Sequence, residues 1–279
     1  MSFVNAVLRV VVDALLYPFR GMPPIVGLAI VSLATSIGLL LVFKKTSNQK
    51  ALEAVKRRIH ANLFEIRLFN DDLRTILRAQ LEILRHNLTY LRHSTVPMLW
   101  TLPPLVLLIA QLQFHYGYES LAVGRPALVK VTMGAEASDS AAKPAVRLEA
   151  SDGGGVEVEE PPVWIPSLRE MAWRIEPAKA GDYELRIVNG SETVTKSVRV
   201  MDGTDEVRRR SPIRVRGFFD ELLYPAEPPL PEGDFESVTV TYPEANLSIF
   251  GFELHWMIVY FVLSMAFAFL LRGTFKVTI

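Results

Sequence analysis

Three long apolar stretches constrain this chain more than any other feature of its sequence. Residues 25–43 and 96–114 contain no charged side chain, and residues 254–271 contain only one histidine. A bilayer core of about 30 Å is crossed by about 20 apolar helical residues, so each stretch is long enough to span it. The alternative is a buried helix of a soluble core, where uncharged runs of this length are rarer. The sequence predicts membrane-spanning helices at 25–43, 96–114 and 252–271.

The first of these stretches is predicted to be a retained span. A cleaved signal has a short positive leader directly before its apolar run and small residues at a cleavage site after it. Here residues 1–24 come first and include Asp13, and Lys44 and Lys45 follow the apolar run.

Lysine and arginine are distributed unevenly between the two sides of the spans. Eleven of them lie within 20 residues of a span on the side that includes residues 44–95, and four lie on the opposite side. Because basic residues concentrate on the cytoplasmic side of membrane proteins, the amino terminus is predicted outside and the carboxyl terminus inside. The tail 272–279 is then cytoplasmic, and residues 115–253 are extracytoplasmic. We expect a multi-pass protein of the inner (plasma) membrane.

Residues 44–95 carry a helical pattern with two apolar stripes. Apolar residues recur every three or four positions from Leu52 to Ile66 and again from Leu73 to Leu91. Asn70 is a suitable N-cap for the second stripe. The pattern predicts two antiparallel helices that form a cytoplasmic hairpin, a short coiled coil. The basic residues predicted on its outward face are Lys56, Arg57, Arg58, Arg67, Arg74, Arg78 and Arg85. Solvation explains them about as well as contact with RNA or anionic lipid does.

The segment between the second and third spans is predicted to be all-β. Residues 118–202 alternate apolar and polar side chains in short runs separated by turn residues. Trp173 is expected in the core, and Tyr183 is expected to tie the fold through its hydroxyl, a pattern that resembles an immunoglobulin-like sandwich. Residues 203–251 read as a proline-rich return that contains an interfacial helix and one further strand.

One amphipathic phrase occurs twice. DALLYP at 13–18 returns as DELLYP at 220–225, and prolines follow both copies. A helix with an apolar body and a tyrosine at its end is suited to the headgroup region of a membrane. The repeat favours an outer interfacial helix within residues 1–24 and a second one within residues 203–251. Chance similarity in a hydrophobic chain is the alternative.

Sequence signatures of catalysis are not found. The chain has no cysteine and no phosphate-binding, dinucleotide-binding, zinc-protease or serine-hydrolase motif. Within the predicted spans 25–43 and 96–114 there is no Asp, Glu, Lys or Arg, which argues against a proton relay or an ion-coupled transporter. We expect a protein that is not an enzyme and has no cofactor, no metal site and no specific nucleic-acid partner.

The spans do contain mildly polar residues. Ser32, Thr35 and Ser36 share one face of the first span because they are three and four positions apart. This face could line a semi-polar groove, or it could serve helix packing, for which small polar residues are common. The candidate groove-lining residues are Ser32, Thr35, Ser36, Thr101, Gln111 and Ser264.

The order of these segments resembles a known superfamily. A span, a basic cytoplasmic hairpin, a second span that opens on proline within VPMLWTLPPLVLLIAQLQFHY, and a last span are similar to the core of the YidC/Oxa membrane protein insertases, in their three-span archaeal and endoplasmic-reticulum form. The resemblance covers about residues 1–117 and 252–279. Residues 25–43 contain no arginine, so the groove arginine of bacterial members has no counterpart here.

The resemblance implies an insertase or membrane chaperone that acts in protein transport without ATP or a cofactor. Its partners would be the lipid bilayer, nascent or client membrane proteins, and the ribosome or other membrane subunits. The alternative is a non-catalytic structural or docking subunit of a larger membrane complex. A groove at Ser32, Thr35 and Gln111 that is open to the cytoplasm would favour the insertase. The same residues packed together without a cavity would favour the docking subunit.

Overall fold

The computed structural model describes residues 2–69, 71–134, 143–150, 154–201, 207–249 and 251–277. Its helices are α1 Ser2–Leu16, α2 Pro24–Thr46, α3 Gln49–Leu68, α4 Leu73–Tyr116, α5 Phe218–Leu223 and α6 Trp256–Phe275. Its strands are β1 Leu121–Ala122, β2 Ala127–Met133, β3 Arg147–Ala150, β4 Val156–Val158, β5 Val163–Ile165, β6 Glu170–Pro177, β7 Gly181–Asn189, β8 Glu192–Met201, β9 Ile213–Val215, β10 Phe235–Val240, β11 Asn246–Ile249 and β12 Phe252–His255.

Within the described residues, three helices are long and apolar enough to cross a membrane: α2, α4 and α6. This confirms the prediction of three apolar helices, but residues 252–255 at the start of the third predicted span form the strand β12, and α6 begins at Trp256. The second predicted span is the carboxyl-terminal part of α4, a single helix of 44 residues that also forms the second arm of the predicted hairpin. Pro97, Pro103 and Pro104 lie inside α4 and do not end it. Apolar helices tolerate proline where neighbouring groups satisfy the freed carbonyl oxygens.

The chain forms two compact units. The β unit comprises residues 1–28 and 107–259, and the helical unit comprises residues 29–106 and 260–279. The β unit therefore contains α1, the first residues of α2 and the end of α4 as well as the strands.

The strands of the β unit form two main sheets. One has the order β1-β8-β7-β3 and the other the order β4-β6-β2-β10-β9, with β5 also paired to β6. Alternate residues of β2 and β8 are buried, as expected of strands that bury one face. Val129 and Trp173 of one sheet belong to the same hydrophobic core as Leu185 and Val198 of the other. The two sheets thus pack as a sandwich.

The sandwich extends beyond residue 202, where the sequence pattern places its end. β10 pairs with β2 on one side and with β9 on the other, so residues 213–240 complete the larger sheet. The one strand predicted within residues 203–251 corresponds to β10, but β9 and β11 also lie in this segment. The β10 partner β2 is far away in sequence, and alternation of apolar residues does not reveal such pairing.

Tyr183 and Trp173 take different places in the sandwich. Trp173 is 1% exposed and lies in the core, as predicted. Tyr183 lies within β7, and its hydroxyl donates to the carbonyl oxygen of Lys179 at 3.0 Å. This bond closes a local turn four residues long that leads into β7, and the Tyr183 ring packs against the core.

The two arms of the predicted hairpin are the helices α3 and α4. Asn70, the predicted N-cap, lies outside the described residues. Asp72 performs the capping, since its carboxylate accepts hydrogen bonds from the Arg74 amide at 3.0 Å and from the Thr75 hydroxyl at 2.5 Å.

The apolar stripes of the hairpin are only partly buried. Leu52 and Val55 at the start of the α3 stripe are buried. The α4 stripe is exposed to solvent, although the sequence pattern predicts that it covers α3. Its leucines are 53–69% exposed, and they are Leu73, Leu77, Leu81, Leu84, Leu88 and Leu91. A stripe shows that one helix face is apolar but does not specify which partner covers it.

Candidate functional site

A buried polar cluster joins α1 to the end of α4 in the β unit. His115 is 3% exposed, and its Nε2 lies 2.8 Å from Oδ1 of Asp13. Its Nδ1 lies 3.0 Å from the carbonyl oxygen of Gln111. Both partners are acceptors, so a neutral ring can donate to one of them and an imidazolium to both. The contact between His115 and Asp13 holds α1 against the end of α4.

Arg209 completes this cluster from the segment that follows β8. Its guanidinium donates to Oδ1 of Asp13 at 3.1 Å and to Oε1 of Gln111 at 2.9 Å. Burial alone would raise the pKa of Asp13, but the hydrogen bond from His115 and the charge of Arg209 hold that pKa below its ordinary value. Asp13 is therefore an ionised carboxylate that contacts both the His115 ring and the Arg209 guanidinium.

The two copies of the repeated phrase meet at this cluster. Arg209 also lies 3.5 Å from the carbonyl oxygen of Pro225, at the end of the second copy, while Asp13 belongs to the first. Beside it, Nδ2 of Asn5 in α1 donates to the carbonyl oxygen of Glu221 in α5 at 2.6 Å. The repeat thus produces two helices that pack on each other within one unit.

A second buried ion pair fastens the segment after α5 to β8. Lys196 is fully buried, and its Nζ lies 2.5 Å from Oε2 of Glu227 and 2.6 Å from the carbonyl oxygen of Ser211. The other carboxylate oxygen of Glu227 accepts from the Ser197 amide at 2.7 Å. Burial lowers the pKa of Lys196 to about 8, against the opposing charge of Glu227.

A polar cleft of about 300 Å³ borders the Asp13 cluster. Asp182 and Arg199 lie on its wall and form an ion pair, and Tyr242 lies there with its hydroxyl accepting from the Arg199 amide at 2.9 Å. Among the described residues, no group of three or more histidine, aspartate or glutamate side chains is arranged to hold a metal ion. The charged groups of the cleft are used in contacts within the chain, which indicates a structural role for them.

The helical unit contains a separate polar seam between α2 and α6. The Ser36 hydroxyl lies 2.7 Å from the carbonyl oxygen of Ser32 and 2.8 Å from that of Ser264. Ser32 is fully buried, and Thr35 bonds to the carbonyl oxygen of Val31 at 2.8 Å. Tyr260 is fully buried in α6, and its hydroxyl lies close to Thr35 and Ser264.

The six candidate groove residues are therefore divided between two places. Ser32, Thr35, Ser36 and Ser264 belong to the seam. Gln111 is fully buried beside Arg209 in the β unit, and Thr101 bonds to the carbonyl oxygen of Met98 on its own helix. The seam residues contact each other directly, which is the arrangement expected of helix packing.

The predicted basic residues of the hairpin lie on its surface, with Lys56 half-buried. Arg78 forms an ion pair with Glu82 one turn away, and Arg67 stacks over the ring of Phe64. Both contacts are local and solvent-exposed, so they stabilise the helices weakly.

Sequence reasoning missed Arg209 and Tyr260 as members of these clusters. Arg209 stands in a run of three arginines that gives no sign of a partner nearly 200 positions away. The sequence does single out Asp13, because it is the one acidic residue in a mostly apolar helix. A charge in such a place is retained where a buried partner exists.

Comparisons with known proteins identify no family. No family model matches the chain, and no curated protein matches it. Among solved structures, the crystal structure of the S-layer protein rSbsC(31-844) aligns at 19% identity over 32% of this chain and 12% of that chain, with a TM-score of 0.25. Domains 4 and 5 of S-layer protein SbsC align at 19% identity over 31% of this chain and 42% of that chain, with a TM-score of 0.24. A likeness at these scores carries no argument about fold or function.

Proposed function

We propose that the protein is a non-catalytic docking subunit of a larger membrane assembly, with an immunoglobulin-like β-sandwich as its extracytoplasmic module. The observation that carries this proposal is the closed seam in the helical unit. Ser36 is bonded to the Ser264 carbonyl and Ser32 is fully buried, so these side chains serve helix contact.

The polar clusters of the β unit support the same function. The Asp13 cluster and the Lys196–Glu227 pair build the sandwich, α1 and the end of α4 into one compact unit. A docking module benefits from such rigidity, because a pre-organised surface loses less conformational entropy when it binds.

A second candidate function is insertion or chaperoning of membrane proteins, as the resemblance to the YidC/Oxa insertases implies. One observation favours it. The Ser32 hydroxyl is fully buried in α2 and has no hydrogen-bond partner within the described residues. An unsatisfied polar group costs free energy in an apolar setting. A seam that opens to admit water and a polar client segment would satisfy that hydroxyl.

Reconstitution distinguishes the two functions. A client protein with one span and a short polar tail is added to proteoliposomes that contain the purified chain. Translocation of the tail is measured by protease protection. The docking function predicts no insertion above empty liposomes. The variant Ser32→Ala/Thr35→Val/Ser36→Ala should then weaken the α2–α6 contact by about 0.6 kcal/mol, the contribution of the bond from Ser36 to the Ser264 carbonyl.

Insertion by the wild-type chain that the triple variant abolishes, with the variant folded and equally abundant, would overturn the docking function in favour of the insertase. Gly38→Ala serves as the matched control, because a Cβ at Gly38 in the same helix would meet no atom within 4 Å.

The proposed orientation places residues 115–253 outside and residues 44–95 in the cytoplasm, on the basis of the uneven lysine and arginine distribution. The chain has no cysteine, so single cysteines can be introduced as labels. On intact cells, a membrane-impermeant thiol reagent should label Ser191→Cys, at an exposed turn before β8, and should not label Ala61→Cys on α3. Labelling of Ala61→Cys alone would reverse the orientation.

A further inference from the structure

The exposed leucines of α4 form a regular surface, here called the leucine stripe: Leu73, Leu77, Leu81, Leu84, Leu88 and Leu91. From Leu77 onward the spacing alternates between four and three residues, which is the heptad spacing of a coiled-coil seam. Leu77, Leu84 and Leu91 occupy one seam position, and Leu81 and Leu88 occupy the other. Five consecutive seam positions on one helix are enough for one partner helix to pack along it.

The opposite side of α4 already has its partner. Ala79 is 1% exposed, and Asn62 of α3 lies 3.5 Å from the Glu82 carboxylate. The contact with α3 therefore uses a different face of α4 and leaves the leucine stripe uncovered within the part of the chain that the structure describes.

A row of arginines borders one side of the leucine stripe. Arg78, Arg85 and Arg92 follow the seam leucines at intervals of seven residues, and all three are exposed. On the other side the corresponding positions are uncharged: Gln80, Asn87 and Ser94. Flanking positions of a coiled coil determine the choice of partner through charge pairs. An acidic row on the partner is complementary to this arginine row.

A second copy of the chain is less complementary than an acidic helix. In an antiparallel pair the arginine rows of two copies would face each other and repel. In a parallel pair they would face the row of Gln80 and Asn87, which supplies no opposite charge.

The membrane surface is also a poor match. α4 continues without a break from the leucine stripe into its apolar span. At 1.5 Å per residue, Leu73 lies about 35 Å along the helix from Val96, where the apolar part begins. A helix that lies in the headgroup plane would need a break before the span.

From these observations we infer that the leucine stripe and its arginine row bind an amphipathic helix of another protein, one that has leucines along one face and acidic residues beside them. This site lies on the hairpin and is independent of the seam and of the β unit.

The probe is a synthetic three-heptad peptide with leucine at both seam positions and glutamate at both flanking positions, labelled with a fluorophore. It is titrated against the full chain in lipid nanodiscs, and binding is followed by fluorescence anisotropy. A peptide with lysine in place of glutamate is the charge control. The glutamate peptide should bind in a saturable manner and weaken as salt is raised, and the lysine peptide should bind at least about tenfold more weakly.

Two variants locate the binding site. Leu84→Ala/Leu88→Ala removes exposed apolar surface while keeping a strong helix-forming residue, and binding should weaken about tenfold or more. Arg78→Glu/Arg85→Glu/Arg92→Glu should reverse the preference between the two peptides. Arg57→Glu/Arg58→Glu on α3 is the matched control, since both arginines are exposed and lie on the other helix of the hairpin, and it should leave the preference unchanged.

Three outcomes would overturn the inference. One is equal binding of the glutamate and lysine peptides. Another is a disulfide between two chains of Leu84→Cys in nanodiscs that hold two copies, which would assign the stripe to a second copy. The third uses an environment-sensitive dye attached to Leu84→Cys. If anionic vesicles added without peptide remove the dye from water, the leucine stripe is assigned to lipid.

Discussion

Replacing Glu227 with alanine is expected to destabilise the β unit by about 3–5 kcal/mol, because it leaves the fully buried Lys196 ammonium without its counter-charge. The Glu227 side chain is 13% exposed, so water replaces it poorly. Urea unfolding of the full chain in detergent, followed by tryptophan fluorescence, to which Trp173 in the core contributes, measures the change.

Two control variants isolate the charge effect. Lys196→Met/Glu227→Met removes both charges and should recover most of the lost stability, since replacing a buried pair by apolar side chains is often neutral. Asp182→Ala breaks the pair with Arg199, in which the Asp182 side chain is 61% exposed, and should cost less than about 1 kcal/mol. If Glu227→Ala is no more destabilised than Asp182→Ala, the prediction is contradicted.

Glu227 is also expected to make the stability of the β unit depend on pH. Burial alone would raise the pKa of Glu227, but the charge of Lys196 and its hydrogen bonds hold it below its ordinary value of 4.5. The folded protein therefore binds this proton less readily than the unfolded chain does. The resulting stability is fully present above about pH 4.5 and is lost as the pH falls through the folded pKa. Lys196→Met/Glu227→Met should lack this contribution to acid unfolding.

Replacing Arg209 with methionine is the second large change, with an expected cost of about 2–4 kcal/mol to the packing of α1. The substitution removes the guanidinium that donates to the Asp13 carboxylate and to the Gln111 side-chain carbonyl, while His115 remains beside Asp13 and most of the Arg209 stem volume is kept. Amide hydrogen exchange in α1 should accelerate, and exchange in the strand β6 should change little.

Arg125→Met provides the comparison for this variant, because Arg125 is an exposed arginine of the same unit at the turn before β2. It should leave exchange in α1 unchanged. If Arg209→Met also leaves α1 unchanged, then other contacts, such as Asp13–His115 and Asn5–Glu221, hold the helix and the role assigned to Arg209 is wrong.

The three apolar helices and several of the strands were predictable because each depends on a pattern within a short window. The sequence pattern does not predict β9 or β11. The length and lack of charge of residues 25–43 predict α2, and the alternation of apolar and polar residues in the run SVTVTY predicts β10. The Asp13 cluster was not predictable, because Asp13, His115 and Arg209 meet only through the tertiary fold. Hydrogen bonds between distant polar side chains have no periodicity in the sequence.

The hairpin shows a different limit. The pattern from Leu73 to Leu91 correctly predicts a helix with one apolar face, but the α4 face that meets α3 contains Ala79 and Glu82. The same periodicity is satisfied by an interface within the chain or with another protein. The same limit explains why the six candidate groove residues lie in two places. A residue on a predicted polar face, such as Ser36, can contact a neighbouring helix instead of water.

The pairing of β2 with β10 has a consequence for how the chain is made. Val131 pairs with Val238, so the edge of β2 stays open while the polypeptide between them is synthesised. Open strand edges can pair with other chains, and contacts between residues far apart in sequence form slowly. α6 begins at Trp256, shortly after β10 ends at Val240. If α4 and α6 both cross a membrane, the whole intervening segment has to be translocated before the larger sheet closes. In that case biogenesis of the β unit depends on the timing of translocation, and a delay before residue 240 leaves β2 without its partner β10 during that interval.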